Sequence, residues 1–299
     1  MGKKTTQPFS FHLEQKLIEL QVELREGRYQ PAPYRYFKIY DPKERMISVA
    51  EFRDRVVHHA LINLLEPIYE KTFIHDSYAT RKNKGTHLAV RRAQTFLKTN
   101  EWFFKTDIDK YFDSINHDIL MTLLSQKIKD QSLLKLTDLI IRNANHNGVG
   151  LPIGNLTSQF FANVYLNQFD HFVKRELKVR RYIRYMDDFV LFHSDKDQVK
   201  AWRDPVGQFL KHSLRLNTKE KGTFLNHRQN GLTFLGRRIF PKMIRLARPN
   251  ARRMTKRMHQ RAMDFQNGKY CEEKYVQSMN SYWAQLEPFG AFRRNLLEG

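Results

Sequence analysis

The sequence predicts an α+β fold, in which amphipathic helices and short apolar strands alternate along the chain. Leucines recur at helical spacing from Leu13 to Leu24, and Gly27 ends the run, as expected for an amphipathic helix. Residues 102–106 form a short apolar segment that runs into Asp107, and residues 182–192 alternate like a strand around a pair of aspartates. Strands and helices mixed in this order indicate a sheet with helices packed against it.

The remaining elements follow from the same signals. Aromatic and β-branched residues surround Asp41-Pro42, which indicates a hairpin over residues 34–47. A helix is predicted over residues 158–177, where four aromatic residues lie at helical spacing. The other predicted elements are a helix over residues 53–65, a glycine-rich loop over residues 148–154 and one further strand over residues 231–240.

The composition changes after Pro241, where basic residues dominate. Met254, Met258 and Phe265 lie roughly on one face of a predicted helix, and the cations lie mainly elsewhere on it. We therefore predict two domains, 1–240 and 241–299, of which the second is helical and basic. The cations that define its polar surface are Arg252, Arg253, Lys256, Arg257 and Arg261.

The charge of the whole chain indicates a polyanionic partner. Lys and Arg number 52 against 31 Asp and Glu, which gives a net charge of +21. Nucleic acid is the commonest such partner and an anionic membrane surface is the alternative. No apolar run reaches the roughly 20 residues of a membrane-spanning helix, and no signal-peptide pattern follows Met1, so we expect a cytoplasmic protein without a membrane partner. The single cysteine, Cys271, excludes an intrachain disulfide and a multi-cysteine zinc site.

Three aspartates are the candidate catalytic residues: Asp107 at the end of a predicted buried strand, and Asp187 and Asp188 inside an apolar hairpin. A buried carboxylate is costly unless its charge is compensated. Magnesium prefers oxygen ligands and needs only one or two protein carboxylates besides water and phosphate. Two such ions can clamp the attacking and leaving oxygens of an in-line displacement. The alternative is that Asp187 and Asp188 are ordinary turn residues.

Several segments resemble the sequence motifs of reverse transcriptases, in the order in which that family carries them. They are Lys43-Glu44-Arg45 with Phe52-Arg53-Asp54-Arg55, Ser77-Tyr78-Ala79-Thr80-Arg81, Gly85-Thr86-His87, Asp107 with Phe112, Tyr185-Met186-Asp187-Asp188, and Gly231-Leu232-Thr233-Phe234-Leu235-Gly236. The resemblance implies a right-hand polymerase, with fingers and an antiparallel palm over residues 1–240 and a helical thumb beyond them. It also implies RNA-directed DNA polymerase activity with two Mg²⁺ ions.

One loop narrows the resemblance. Residues 151–159 place Ile153-Gly154 where many relatives carry glutamine and glycine, and the loop continues to Ser158-Gln159. This pattern resembles the reverse transcriptases of diversity-generating retroelements. That group copies a template-repeat RNA into cDNA, mutates it at adenines, and works with a small basic accessory protein; whether the chain is oligomeric stays open.

The resemblance also implies roles for single residues. Asp107 and Asp187 would ligate both metals, Asp188 would complete the cluster, and Ile108 would offer its backbone carbonyl. Phe112 would exclude a 2′-hydroxyl, and Ile153 and Gly154 would touch the nascent base pair. Lys43, Arg45 and Arg81 would bind the triphosphate of the incoming dNTP, either Lys219 or Lys221 would protonate pyrophosphate, and the thumb cations would track the RNA/DNA duplex.

Each role has a plainer alternative. The cations could be solvated surface charges, Phe112 could be a core residue, and Ile153 could only pack the junction between fingers and palm. For the whole chain, two other functions stay open. One is a related reverse transcriptase of a retron or a phage-defence system, and the other is a non-catalytic nucleic-acid-binding protein with the same fold.

Overall fold

The computed structural model describes residues 12–40, 44–144 and 147–286, and it confirms the predicted α+β fold. The helices are α1 (Leu13–Arg25), α2 (Phe52–Glu70), α3 (Thr86–Thr99), α4 (Tyr111–Ser114), α5 (His117–Ser125), α6 (Gln131–Arg142), α7 (Leu156–His171), α8 (Lys196–Ala201), α9 (Arg203–Leu214), α10 (Arg248–Gln266) and α11 (Glu272–Leu286). The strands are β1 (Arg35–Tyr40), β2 (Glu44–Val49), β3 (Trp102–Asp107), β4 (Arg181–Tyr185), β5 (Asp188–His193), β6 (Phe224–His227), β7 (Leu232–Phe234), β8 (Arg237–Ile239) and β9 (Ile244–Leu246).

The central sheet consists of four antiparallel strands in the order β4-β5-β3-β6. Successive side chains of a strand point to opposite faces, and here both faces are buried. Phe104, Phe189 and Leu191 belong to one apolar core, whereas Phe103 and Val190 belong to a second. Helix α7 covers the first face and α3 the second. Because apolar cores hold the sheet from both sides, the ends of its strands are fixed in position.

The predicted N-terminal hairpin is confirmed. Strands β1 and β2 pair antiparallel, with Arg35 opposite Val49 and Tyr40 opposite Glu44. The predicted turn residues, Asp41 and Pro42, lie outside the described residues. Most side chains of this hairpin are exposed, so its position depends on contacts at its base, which are described below.

The prediction of a single strand over residues 231–240 is wrong, because this segment folds into the two strands β7 and β8. Leu235 and Gly236 form the turn between them, with φ values of 48° and 75°. The apolar alternation concealed this turn, since leucine rarely adopts a positive φ. Strand β9 pairs with β8 to complete a C-terminal sheet and lies beyond residue 240. The helical segment therefore begins at Arg248, and the boundary near residue 240 stays a prediction.

Helices α10 and α11 form a helical pair after that sheet, joined by the stacked rings of Phe265 and Tyr275, whose centres lie 4.6 Å apart. The start of α10 is anchored to the C-terminal sheet, because the Ala247 N–H and the Asn250 side-chain amide both donate to the Gly236 carbonyl. No residue of α10 is fully buried. None of the helices in the described part of the chain combines the length and the apolar character needed to cross a bilayer.

Candidate active site

The sheet register brings the three predicted carboxylates together at one end of the central sheet. Asp107 is the last residue of β3 and lies directly opposite Asp188, the first residue of β5. Tyr185 at the end of β4 pairs with Asp188 at the start of β5, and the two residues between them form the turn that contains Asp187. Met186, the first residue of that turn, has φ of 56°, a conformation that favours glycine.

The surroundings of Asp187 and Asp188 raise the pKa values of these two carboxyl groups. Burial and the neighbouring Asp107 carboxylate hold the pKa of Asp187 well above that of an ordinary aspartate. Burial also raises the pKa of Asp188 to about 7, although the Lys105 ammonium opposes the rise. Like charges and desolvation both disfavour the ionised forms, so the cluster requires cations nearby to be fully ionised.

Two lysines supply part of that positive charge. Lys105 Nζ lies 3.1 Å from Asp188 Oδ2, and both side chains are largely buried. Lys219 Nζ lies 3.8 Å from Asp107 Oδ2. The Lys219 N–H also donates to the Asp107 carbonyl at 2.8 Å, so backbone pairing keeps this lysine beside the carboxylates.

The carboxylates also fit a divalent metal. Asp188 Oδ1 is a buried oxygen with no hydrogen-bond partner, which is costly unless something else satisfies it. Within the described ranges, no three His, Cys, Asp or Glu side chains are placed to share one ion. Magnesium does not require three, because water and substrate phosphates complete its coordination. The donor set at Asp107 and Asp187 is therefore compatible with magnesium bound together with a phosphate substrate.

A cavity of about 590 Å³ opens beside these carboxylates, and its size suits a nucleotide-sized ligand. Among the residues predicted from the sequence, the structure brings Asp107, Ile108, Asp187, Arg45, Phe112 and Ile153 to its lining. Lys219 lies there too. Phe112 is half-buried, and its ring meets Tyr111 edge to face at 5.7 Å. The lining thus combines the carboxylates with cations and with an aromatic ring.

Arg81 is not part of this cavity. Its guanidinium forms an ion pair with Glu70 at 2.6 Å and donates to the carbonyls of Ile74 and Ser77. Its side chain is only 6% exposed. Because these contacts occupy the guanidinium, the structure gives no support to the predicted contact of Arg81 with the triphosphate. Lys43 and the side chain of Lys221 lie outside the described residues.

The loop around Ile153 joins the N-terminal hairpin to the rest of the site. The Ser48 N–H donates to the Ile153 carbonyl at 2.8 Å, and the Asn155 amide donates to the Ser48 carbonyl at 3.3 Å. Gly154 has φ of +113°, and a Cβ there would lie 2.8 Å from Ile47 Cγ2. Glycine is therefore required at residue 154, where β2 approaches the loop closely. Ile153 both lines the cavity and forms this junction.

The predicted nucleic-acid-binding cations lie apart from the cavity, on α10. Arg252, Lys256 and Arg257 are exposed, and Arg253 and Arg261 are half-buried. Arg253 donates to the Asn250 side chain, and the Arg261 guanidinium lies 4.6 Å from the centre of the Tyr270 ring. The structure thus presents these charges on the surface of the helical pair, as the sequence pattern indicated.

Sequence reasoning missed the residues that support the carboxylates. Lys105 had a usable signal, because residues two apart on a strand share a face and Lys105 precedes Asp107 by two. Arg184 also had one, as a cation inside the apolar strand β4. Its buried partner, Asp170 on α7, could not be found from local spacing, because the pairing depends on how α7 packs against the sheet.

Comparison with known proteins identifies relatives of this arrangement. The sequence model of the family described as reverse transcriptase (RNA-dependent DNA polymerase) matches residues 40–239. Protein YkfC of Escherichia coli strain K12 is 31% identical over 280 residues, covering 76% of this chain and 73% of YkfC. The group II intron-encoded protein LtrA of Lactococcus lactis is 24% identical over 295 residues, covering 75% of this chain and 49% of LtrA.

Solved structures share the fold. Apo telomerase from Candida tropicalis superposes with a TM-score of 0.56 at 13% identity, covering 79% of this chain and 54% of that one. Telomerase from the same organism in complex with a fragment of telomeric RNA gives a TM-score of 0.54 at 16% identity, covering 75% of this chain and 47% of that one. The chain thus spans about half the length of LtrA and of these telomerases, and the structural likeness supports the polymerase fold.

Proposed function

Since the chain belongs to the reverse transcriptase family, whose members are RNA-directed DNA polymerases, we propose that it copies a template-repeat RNA into adenine-mutagenised cDNA for a diversity-generating retroelement. The observation that carries the polymerase assignment is the meeting of Asp107, Asp187 and Asp188 beside a nucleotide-sized cavity. This arrangement supplies the carboxylates and the space that nucleotidyl transfer requires.

In this proposal, Asp107 and Asp187 hold two Mg²⁺ ions, with Asp188 and the Ile108 carbonyl completing the donor set. The bound ions would supply charge neutralisation for the attacking hydroxyl and the leaving pyrophosphate. Lys105 keeps Asp188 in place by ion pairing. The protein's own contribution at this end of the sheet is therefore to hold the carboxylates in a fixed geometry before substrate arrives.

Other cavity residues have roles toward the nucleotide. Arg45 binds the triphosphate of the incoming dNTP, because a guanidinium pairs well with phosphate oxygens. Lys219, held beside Asp107, donates a proton to pyrophosphate. Phe112 packs against the sugar and excludes a 2′-hydroxyl. The contacts of Arg81 with Glu70 support a different role for that residue, as a brace for the loop before α3.

The exposed cations of α10 track the phosphates of template RNA and of the RNA/DNA duplex. Contacts of this type depend on charge and carry no sequence information by themselves. Selection of the template-repeat RNA would then require a partner, and we propose a small basic accessory protein for it, with an oligomeric assembly as one way to present it.

The diversity-generating assignment is carried by Ile153, which lines the cavity. A glutamine at this place offers two donors and an acceptor to a bound nucleotide, whereas isoleucine offers only shape. Modest changes in a binding pocket, of about 1–3 kcal/mol, alter selectivity by about 10- to 200-fold. We infer that the enzyme misincorporates readily, most of all opposite template adenine.

The test sequences cDNA made by the wild-type enzyme and by Ile153→Gln on one native template RNA, with accessory protein, metal and dNTP concentrations matched. Errors opposite adenine should fall about tenfold in Ile153→Gln. Ile68→Gln is the matched control, because Ile68 is exposed on α2 and does not line this cavity, so its substitution should leave the error spectrum unchanged. Accurate wild-type synthesis without adenine bias would exclude the diversity-generating role and favour a retron or phage-defence enzyme.

A further inference from the structure

The turn that carries Asp187 is unfavourable by itself. It has only two residues, and Met186 adopts a left-handed φ of 56° without being glycine. A β-hairpin turn of this length usually relies on glycine or asparagine at such a position. Since the turn is nevertheless formed, contacts from the surrounding structure must hold it, and such strain commonly lies at functional sites.

Arg184 provides those contacts from inside the protein. Its side chain is completely buried, and Nη1 donates to the Met186 carbonyl at 3.0 Å. Its other two nitrogens donate to both oxygens of Asp170, at 2.7 Å and 2.6 Å. The Tyr182 hydroxyl also donates to Asp170 at 2.7 Å. The two buried charges neutralise each other, and the guanidinium fork has a fixed orientation toward the turn.

Asn163 extends this network to the loop that carries Ala79 and Thr80. Its side-chain oxygen accepts from Arg184 Nη1 at 3.1 Å. Its amide donates to the Ala79 carbonyl and to the Thr80 hydroxyl, each at 2.8 Å. Thr80 itself has φ of 50°. The same loop is paired with the backbone of β4, because the Arg184 N–H donates to the Asp76 carbonyl.

Stability alone does not explain this arrangement. Apolar residues of similar volume often replace a buried ion pair without loss of stability, because the desolvation of two charges is costly. An apolar side chain at residue 184, however, would offer no donor to the Met186 carbonyl. The network therefore supplies a fixed geometry for the turn and for the loop that ends at Thr80.

We propose that Arg184, held by Asp170 and Asn163, is the positioning residue of the catalytic turn, and that it couples the placement of Asp187 to the loop at Thr80. This inference rests on the proposed polymerase activity at Asp187, but it concerns groups that are buried and do not line the cavity. Helix α7 carries both Asp170 and Asn163 on one face, seven residues apart, and so acts as the rigid support of the turn.

The test uses two variants of the full chain, each with a matched control. Arg184→Lys keeps the charge but cannot reproduce the fork, and Arg237→Lys makes the same change at a buried arginine of β8. Asn163→Ala removes the link to Thr80, and Asn100→Ala removes a buried asparagine that donates to the Phe96 carbonyl at the end of α3. Circular dichroism and thermal melting identify which variants fold.

Two measurements distinguish misplacement of the turn that carries Asp187 from a general loss of folded structure. The first is the ¹³C-methyl NMR signal of Met186 in protein labelled at methionine, assigned with Met186→Leu. The second is steady-state dNTP incorporation on an RNA template. We expect Arg184→Lys and Asn163→Ala to shift or broaden the Met186 signal and to lower kcat by about 10- to 100-fold, with KM for dNTP changed less than about twofold, because misplacement of a reacting group affects the chemical step.

The controls should keep the wild-type Met186 signal and kcat. A Met186 signal or a kcat in the two test variants equal to that of the controls would overturn the proposal. If Arg184→Lys does not fold, Asn163→Ala decides, since it leaves the ion pair with Asp170 intact. If the wild-type chain incorporates no dNTP, the proposed function fails, and the NMR comparison still decides whether Arg184 holds the turn.

Discussion

The central sheet and the helical pair formed by α10 and α11 use charge in opposite ways. Arg184 in the sheet and Asp170 on α7, which covers it, are both 0% exposed, and Lys105 pairs with Asp188 in a largely buried contact. In α10 no residue is fully buried, and most of its cations face solvent. Buried charges act at short range and in one geometry, whereas exposed charges act over a Debye length and are screened by salt. The first region is therefore suited to chemistry and the second to holding a polyanion.

The largest expected effect is the loss of dNTP incorporation, with binding of template–primer retained, when Asp187 is replaced. Asp187→Asn removes one carboxylate charge from the turn but keeps its size. We expect dNTP incorporation to fall by at least about 1,000-fold, because the metal clamp contributes several kcal/mol to the transition state. Binding of template–primer, measured by fluorescence anisotropy, should stay close to wild type. A variant with near-normal incorporation would show that the carboxylate cluster is not the catalytic centre.

The next largest effect is expected at Phe112, which lines the cavity and is proposed to exclude ribonucleotides. Phe112→Ala opens space beside the sugar of a bound nucleotide, and we expect the ratio of rNTP to dNTP incorporation to rise by about 10- to 100-fold, since a packed site resists deformation. Competition between labelled rNTP and dNTP on one RNA template measures the ratio. If the ratio does not change in a folded variant, Phe112 is a core residue only.

A smaller effect is expected from the helical pair. Replacing Arg252, Arg253, Arg257 and Arg261 with alanine should make the dependence of log Kd on log salt shallower by up to about 3 units, at roughly 0.7–0.9 per phosphate contact. A matched variant removes four exposed lysines from other surfaces, namely Lys127, Lys129, Lys135 and Lys211. An equal change of slope in both variants would contradict a specific role for α10. The rate of dNTP incorporation at saturating template–primer should stay unchanged in either variant.

The sequence was sufficient to predict the carboxylates at the end of the central sheet, but not the buried ion pairs that hold the surrounding segments in place. Local patterns were sufficient for the strand that ends at Asp107 and for the alternation around Asp187 and Asp188, because burial and period are local properties. The β7–β8 turn was missed because leucine occupies a position that favours glycine. The ion pair of Arg81 with Glu70 was missed because it depends on how the loop after α2 folds back, and that of Arg184 with Asp170 was missed because it depends on how α7 packs against the sheet. Arg81 was predicted to bind the triphosphate but does not line the cavity, whereas Arg184 was overlooked and donates to the Met186 carbonyl in the turn that carries Asp187.

The smallest effect concerns the pH dependence of folding stability and arises at His58, a buried histidine that does not line the cavity. Burial, with a further contribution from His59, lowers the pKa of His58 to about 4. His58 is therefore neutral in the folded protein at pH values where the unfolded chain is already protonated. Stability from this residue is present above pH ~6.5 and is lost as the pH falls toward 4, by up to about 3 kcal/mol.

Melting temperatures between pH 7 and pH 4 test this, with His58→Leu as the variant and His59→Leu as its exposed neighbour. The wild type and His59→Leu should lose stability over this range more steeply than His58→Leu. Parallel curves for all three proteins would show that His58 is not buried in its neutral form.

Under the proposed function, metal-dependent chemistry at the central sheet is separable from nucleic-acid binding by the rest of the chain. Its most direct test is single-turnover incorporation of one complementary dNTP into a DNA primer on an RNA template, with wild-type protein, in magnesium and again in excess chelator, with template–primer Kd measured in both. We expect templated incorporation in magnesium, none with chelator, and a similar Kd in the two conditions. Tight binding of template–primer without incorporation in magnesium, or incorporation that persists in chelator, would contradict it.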